Sequence, residues 1–324
     1  MQRGSDKETR GAPQGHDQLF KQLLRAFFAE FLRLFDPDTA AALDLDTLDF
    51  RDTEAFTDIP QGERRTADLV VQVRTRTGAP RLVLIHVEIQ RERKARFPWR
   101  MWQYYALLRQ REDLPVIPIA LVLYRGREGI ALEEYTEAVF GRTYLAFRYL
   151  QISLPRLDAV EYARTGGVLG AALAVVMRLP RGREAQIGVH LAGLRRVREA
   201  LEAGQVDAAR AFLLVNLIAT YLPLSSNERS ALQVQLEQQG DTTLEATELT
   251  WADQMILQGR ELGREEARAE ALRETILRAA RLRFGDVSPA LEQAVGAMTG
   301  EDALLSLFDR TLRAVSEAEL LPAP

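Results

Sequence analysis

Two apolar runs rich in β-branched residues, Ala67–Arg74 (ADLVVQVR) and Arg81–Gln90 (RLVLIHVEIQ), stand on either side of Thr77-Gly78-Ala79. Runs of this kind, joined through a glycine-containing turn, predict an antiparallel hairpin. Strand alternation puts Asp68, Val70 and Gln72 on one face of the first strand. By the same rule His86, Glu88 and Gln90 share a face of the second. With the hairpin centred on Gly78, Asp68 falls opposite Glu88, and facing β-carbons lie about 5 Å apart. A slip of one residue would send one acid to the other side of the sheet. The register therefore requires an odd-length loop or a compensating bulge.

Two carboxylates at one end of an apolar hairpin repel each other and are costly to desolvate. A divalent cation between them removes both penalties. It would also bring a water of lowered pKa and a Lewis acid, which is what phosphodiester hydrolysis needs. The competing reading pairs Asp68 and Glu88 with Arg64, Arg65 or Arg81 in an ion-pair network. Composition limits the choice of metal. The chain has no cysteine and three histidines, His16, His86 and His190, so thiolate and histidine-rich sites are excluded and oxygen donors remain. Oxygen donors point to magnesium, with manganese or calcium as alternatives.

The rest of the chain frames this hairpin. From Asp17 to Phe35 apolar residues recur at helical spacing, which predicts one long amphipathic helix ended by Asp36-Pro37-Asp38. Leu48–Thr57 is a weaker strand candidate. Trp99–Arg111 has helical periodicity, and Val116–Tyr124 (VIPIALVLY) reads as a strand buried on both faces. A short strand is expected at Tyr144–Leu150. The order describes an α/β domain with a mixed sheet. Beyond Asp158 helices dominate, with segments at Val168–Arg178, Ile187–Ala203 and Asp207–Thr220. Gln254–Arg283 reads as a long exposed helix laced with ion pairs three or four residues apart. Gly285 ends it, and a helical hairpin follows from Pro289 to Leu321.

The expected organisation is therefore a polar, disordered tail over 1–15, an α/β domain over 16–157, a helical domain over 158–250, and a charged helix with a C-terminal hairpin over 251–324. The tail lacks the apolar core of a secretory signal, and no stretch reaches the roughly 18 apolar residues of a membrane span. Both features, with the absence of cysteine, are compatible with a cytoplasmic location.

A net charge of −4 hides an asymmetry. Between Gln61 and Arg111 there are twelve Arg or Lys against four acids, whereas Asp36–Asp58 holds eight acids and one Arg. A basic stripe can bind phosphates in an acidic protein, although such a stripe taken alone also describes ordinary solvated surface. Arg91, Arg93, Lys94 and Arg96 directly follow the second strand, next to the expected metal site, where phosphate binding explains their position.

Asp68, the apolar hairpin and Glu88-Ile89-Gln90 resemble the PD-(D/E)XK nuclease superfamily. More narrowly, His16-Asp17-Gln18-Leu19-Phe20-Lys21, ADLVVQV, HVEIQ and Arg100-Met101-Trp102-Gln103-Tyr104 are similar to the Rpn family of recombination-promoting nucleases, also described as transposases. The Glu- and Arg-rich stretch from Gly259 to Arg273 and the RLRFGDVSPALE segment resemble the C-terminal extension of such proteins. The resemblance implies a restriction-endonuclease-like core followed by a mainly α-helical C-terminal region, and metal-dependent cleavage of DNA linked to recombination or transposition. It implies Asp68 and Glu88 as metal ligands, with the Ile89 backbone carbonyl as a third. Gln90 stands where the superfamily has lysine; it can orient a water but cannot supply charge. Arg100, Lys94 or Arg91 are candidates to replace that charge.

An acid on the first helix commonly completes such a site. Asp17 matches the motif but is also placed to cap the helix, and Glu30 is the competitor, on the polar face. His86 shares the face of Glu88, and the ordinary fate of a lone strand histidine is a hydrogen bond. Arg100, Gln103 and Tyr104 fall on neighbouring helical turns, with phosphate contact expected for Arg100 and Tyr104, while Trp99, Trp102 and Tyr105 read as core. Two further readings stay open: a nuclease fold that binds DNA or serves a mobile element without cutting, and an oligomerisation scaffold built on the C-terminal helices.

Overall fold

A computed structural model describes residues 13–51, 68–76, 82–230 and 245–320. By its internal contacts the chain forms two units, Met1–Ala252 and Asp253–Pro324. The change of character at Asp158 therefore falls inside the first unit.

Six strands carry the first unit: β1 (Leu43–Arg51), β2 (Leu69–Thr75), β3 (Leu82–Gln90), β4 (Val116–Val122), β5 (Ile130–Val139) and β6 (Arg142–Ser153). Their spatial order is β1-β2-β3-β4-β6-β5. The β1–β2, β2–β3 and β5–β6 pairs are antiparallel, while β3–β4 and β4–β6 are parallel. This is a mixed sheet with a crossover helix, α4 (Phe97–Glu112), between the parallel strands β3 and β4. Leu69 pairs with Val87 and Val70 with His86, the register that follows from centring the hairpin on Gly78. The turn itself lies outside the described residues.

β3 is enclosed on both faces, and its apolar residues Val83, Leu84, Ile85 and Val87 are buried. On one face α4 packs across the sheet. Leu108 meets Val70, Leu84 and Val116, and Phe97 and Met101 meet Ala120, Val122, Phe147 and Tyr149. Trp102 and Tyr105 pack against the second of these groups, as their helical spacing implies.

The first helical segment departs from the expected single helix. It consists of α1 (Pro13–Ala26) and α2 (Phe28–Phe35), separated by Phe27 with φ −126° and ψ 29°. The break falls at Phe27, and both it and the adjacent Phe28 are buried. Because α1 begins at Pro13, the last three residues of the expected tail are helical, and Asp17 lies inside the helix rather than at its N-cap. Asp36 ends α2 and caps α3 (Pro37–Ala42), accepting the Thr39 N–H at 3.3 Å.

Three strand expectations need correction. β1 starts at Leu43, not Leu48, with Leu43 and Leu45 buried among its aspartates and a register shift between Asp44 and Asp49. β6 is longer than Tyr144–Leu150. β5 was not expected at all, since its three glutamates and its alanines disfavour strand; it forms as an edge strand held by ten paired positions on β6. Helices α5 (Ala159–Thr165), α6 (Gly167–Leu173), α7 (Arg183–Glu202) and α8 (Ala208–Tyr221) follow in this unit, and residues 226–230 are again helical. Arg210 of α8 binds Glu30 of α2 at 2.5 Å and lies 4.2 Å over the Phe27 ring.

The second unit takes in the long helix α9 (Glu245–Phe284) from Asp253 onward, followed by α10 (Pro289–Ala297) and α11 (Glu301–Arg313). Gly285, at φ +86°, ends α9 in the left-handed conformation that glycine tolerates. Ile276 and Ala280 are buried with Leu291, Val295, Leu304 and Leu307, so α9 is not exposed all round. Glu270–Arg273 is an ion pair along the helix, whereas Arg281 and Arg268 reach Glu292 and Glu301 on the other two helices. Among the described residues no helix is long and apolar enough to cross a membrane.

Candidate active site

Among the described residues, the buried polar side chains of the sheet lie toward the C-terminal ends of β3 and of β6, which holds Gln151 and Ser153. His86, Glu88 and Gln90 are 0%, 5% and 5% exposed, and all belong to the face under α4. Asp68, one residue before β2, completes the group. Its N–H points to Glu88 Oε2 at a long 3.4 Å, and its own Oδ2 accepts the Ile89 N–H at 2.8 Å. The two carboxylates thus converge at one end of the hairpin.

Asp68, Glu88, Ile89, Gln90, Arg91, Glu92, Lys94 and Arg100 line one cavity of about 540 Å³. Seven of these were singled out from the sequence; Glu92 was not. Its position two residues past Gln90, at the mouth of the site, was the available signal.

Residues 14–174 match the family model described as "Putative transposase, YhgA-like". The match covers just under half of the chain and includes every residue lining the cavity. No curated protein and no solved structure matches the chain. The matched span thus ends within the first unit, which also contains the six described strands.

Asp68 and Glu88 each have their own cation. Lys21 of α1 places Nζ 2.7 Å from Asp68 Oδ1, and Arg100 of α4 lies 3.2 Å from Glu88 Oε1. The Arg100 guanidinium also donates to Gln90 Oε1 and sits 5.2 Å over the Phe97 ring. Lys21 was quoted within the HDQLFK motif but given no role, and its partner could not be read from sequence because Asp68 lies 47 residues away in the chain. Arg64, Arg65 and Arg81, the expected ion-pair partners, lie outside the described residues. Burial and, next, the neighbouring Glu88 raise the pKa of Asp68 above its ordinary 3.8, against the opposing pull of Lys21 and the Ile89 N–H.

Several expected residues stand elsewhere. Tyr104 is 4% exposed, its ring edge against His86 at 5.2 Å, and it is outside the cavity lining. His86 is fully buried behind Glu88, with Nε2 3.4 Å from Glu88 Oε2 and neither ring nitrogen in a hydrogen bond. It neither lines the cavity nor follows the expected hydrogen-bonded pattern. Arg93 and Arg96 are exposed and outside the cavity lining, and Arg96 lies over the Trp99 ring at 4.4 Å. Glu30 is engaged by Arg210, away from the site. The side chain of Asp17 is outside the described residues.

The donor chemistry suits a hard divalent cation. Asp68 and Glu88 offer carboxylate oxygens at a solvent-connected cavity, and magnesium commonly takes one or two carboxylates while keeping several waters. Among the described residues no group of three or more His, Cys, Asp or Glu is placed to enclose an ion. Water or substrate oxygens would have to complete the shell.

Proposed function

We propose that the first unit hydrolyses phosphodiester bonds in DNA, with a divalent cation held by Asp68 and Glu88 in a PD-(D/E)XK-type site and the Ile89 carbonyl as a further ligand. The observation that carries this reading is the convergence of Asp68 and Glu88 with three basic side chains, Arg91, Lys94 and Arg100, on one cavity that Glu92 also lines. Asp68, whose ionisation is opposed by burial and by the neighbouring Glu88, is a carboxylate that a dication would relieve. Magnesium, or manganese or calcium, would supply a Lewis acid and a water of lowered pKa.

The chain's own residues divide the remaining work. Gln90, with its Oε1 held by Arg100, is oriented so that its amide N–H₂ can position a water. Arg91, Lys94 and Arg100 bind the phosphate backbone, a contact without base preference. Arg93 and Arg96 extend the basic surface beyond the cavity. Asp17 remains the first-helix acid of this scheme. The YhgA-like match supports a setting in transposition or recombination. The C-terminal helices are assigned to self-association.

Nicking of supercoiled plasmid in magnesium, manganese or calcium tests the proposal. Wild type should cut, and Asp68→Ala should be slower by at least about 100-fold. A second reading, a nuclease fold that holds DNA without cutting, draws on Gln90 in place of lysine and on the cations already seated on both carboxylates. If neither protein cuts in any of the three metals while both retain DNA in a gel-shift assay, that second reading replaces the first.

A further inference from the structure

The cations on the two carboxylates are not equivalent. Arg100 is fixed: it contacts Glu88 and Gln90, lies over Phe97, and has a buried Nε. Lys21 reaches Asp68 Oδ1 from a different element, and its side chain is 33% exposed. Lysine is a compact charge on a flexible four-carbon stem, so Lys21 can leave Asp68 without disturbing the packing of α1, whose apolar contacts are made by Leu19, Phe20, Leu23 and Leu24.

A divalent cation at Asp68 must compete with that ammonium for the same oxygen. A phosphodiester entering the cavity offers the ammonium another anion. The site also lacks a charge at position 90, where an amide stands. These three facts have one solution. We propose that Lys21 is a phosphate-contacting residue that neutralises Asp68 until DNA arrives and then turns to the phosphate at the site. It provides there the positive charge that Gln90 lacks, and DNA and the divalent cation each tighten the other's binding.

This inference rests on reading Asp68 and Glu88 as the cation ligands, and its test separates the two. Binding of Mn²⁺ is followed by the electron paramagnetic resonance of the free ion, with and without a short phosphorothioate duplex that resists cutting. Asp68→Asn gives the background bound by the duplex itself. Duplex affinity is measured by fluorescence anisotropy with and without Mn²⁺, and linkage requires the same coupling factor in both directions.

In wild type the duplex should tighten Mn²⁺ by at least about 5-fold. Lys21→Met should bind Mn²⁺ more tightly than wild type when no DNA is present, because the competitor is gone, and should gain little more from the duplex. Lys21→Arg should keep the coupling. If Lys21→Met shows wild-type Mn²⁺ affinity without DNA, or undiminished coupling, the role of Lys21 is wrong and the cation site stands. If wild type binds no more Mn²⁺ than Asp68→Asn, the site and the role of Lys21 fall together.

Discussion

Asp68 and Glu228 are both carboxylates with one cation and backbone N–H donors, yet their affinities for protons move in opposite directions. At Glu228 the Arg183 guanidinium, and then the Ser225 N–H and hydroxyl, hold the pKa down to about 2 from the ordinary 4.5. At Asp68 Lys21 and the Ile89 N–H act in the same sense but are outweighed by burial and by Glu88. A carboxylate set into the sheet beside another carboxylate is thus destabilised even when it is paired. Glu228, at the surface, is stabilised by nearly the same inventory. On the reading proposed above, the difference separates a group placed for chemistry from one at the start of the helical residues 226–230, where Ser225 and Glu228 form a reciprocal capping box.

The largest expected effect comes from breaking the buried side. Arg100→Ala leaves Glu88, with a 6% exposed side chain, without its guanidinium partner, and removal of one member of a buried pair costs about 3 kcal/mol or more. Chemical denaturation should show that loss, whereas Arg183→Ala at the surface should cost much less. Equal losses would end the contrast between the two regions. Next in size is function: Asp68→Asn should slow plasmid cutting by at least about 100-fold, while Glu228→Gln should leave the rate unchanged. The comparison fails if Glu228→Gln is the more damaging.

How far these residues were visible beforehand depended on how each is held. The hairpin register and the convergence of Asp68 on Glu88 follow from strand alternation, a rule of period two that needs only local sequence. The basic residues just past β3 were found for the same reason, by their nearness to Glu88. Lys21 was not, because its role arises from α1 approaching the end of β2, a contact between distant segments that no periodicity encodes. The packing of Tyr104 against His86 was not visible either, because helical spacing says which residues share a face but not which of them reach a neighbouring strand. β5 was missed since Glu133, Glu134 and Glu137 are poor strand residues, overruled by pairing with Tyr149, Arg148 and Leu145.

A third experiment uses the pH dependence of the metal-free protein. The folded pKa of Asp68 is raised, so its contribution to stability is fully present below the ordinary 3.8 and is lost as pH rises through the folded value. Asp68→Asn removes the cost of burying the ionised form. Without divalent cations it should melt at a higher temperature than wild type at neutral pH, with the gap closing as pH falls through the raised folded value toward 3.8. Magnesium should raise the melting temperature of wild type and not of the variant. A melting temperature of Asp68→Asn below wild type at neutral pH would mean that Lys21 and the Ile89 N–H outweigh burial.

The smallest effect belongs to Glu228 and carries the opposite sign. Its folded pKa lies below the unfolded value, so its contribution is present above about 4.5 and is lost as pH falls toward 2. Glu228→Gln should lower the melting temperature slightly at neutral pH, with the difference from wild type shrinking through that acid window and vanishing near its lower end. Because the Arg183 ion pair is exposed, added salt should reduce the difference at neutral pH by screening. The capping hydrogen bonds from Ser225 persist in salt, so a residual difference measures the cap, and Ser225→Ala should remove it. A Glu228→Gln gap independent of both pH and salt would show that the carboxylate charge contributes nothing, and that Asp68 and Glu228 differ in burial alone.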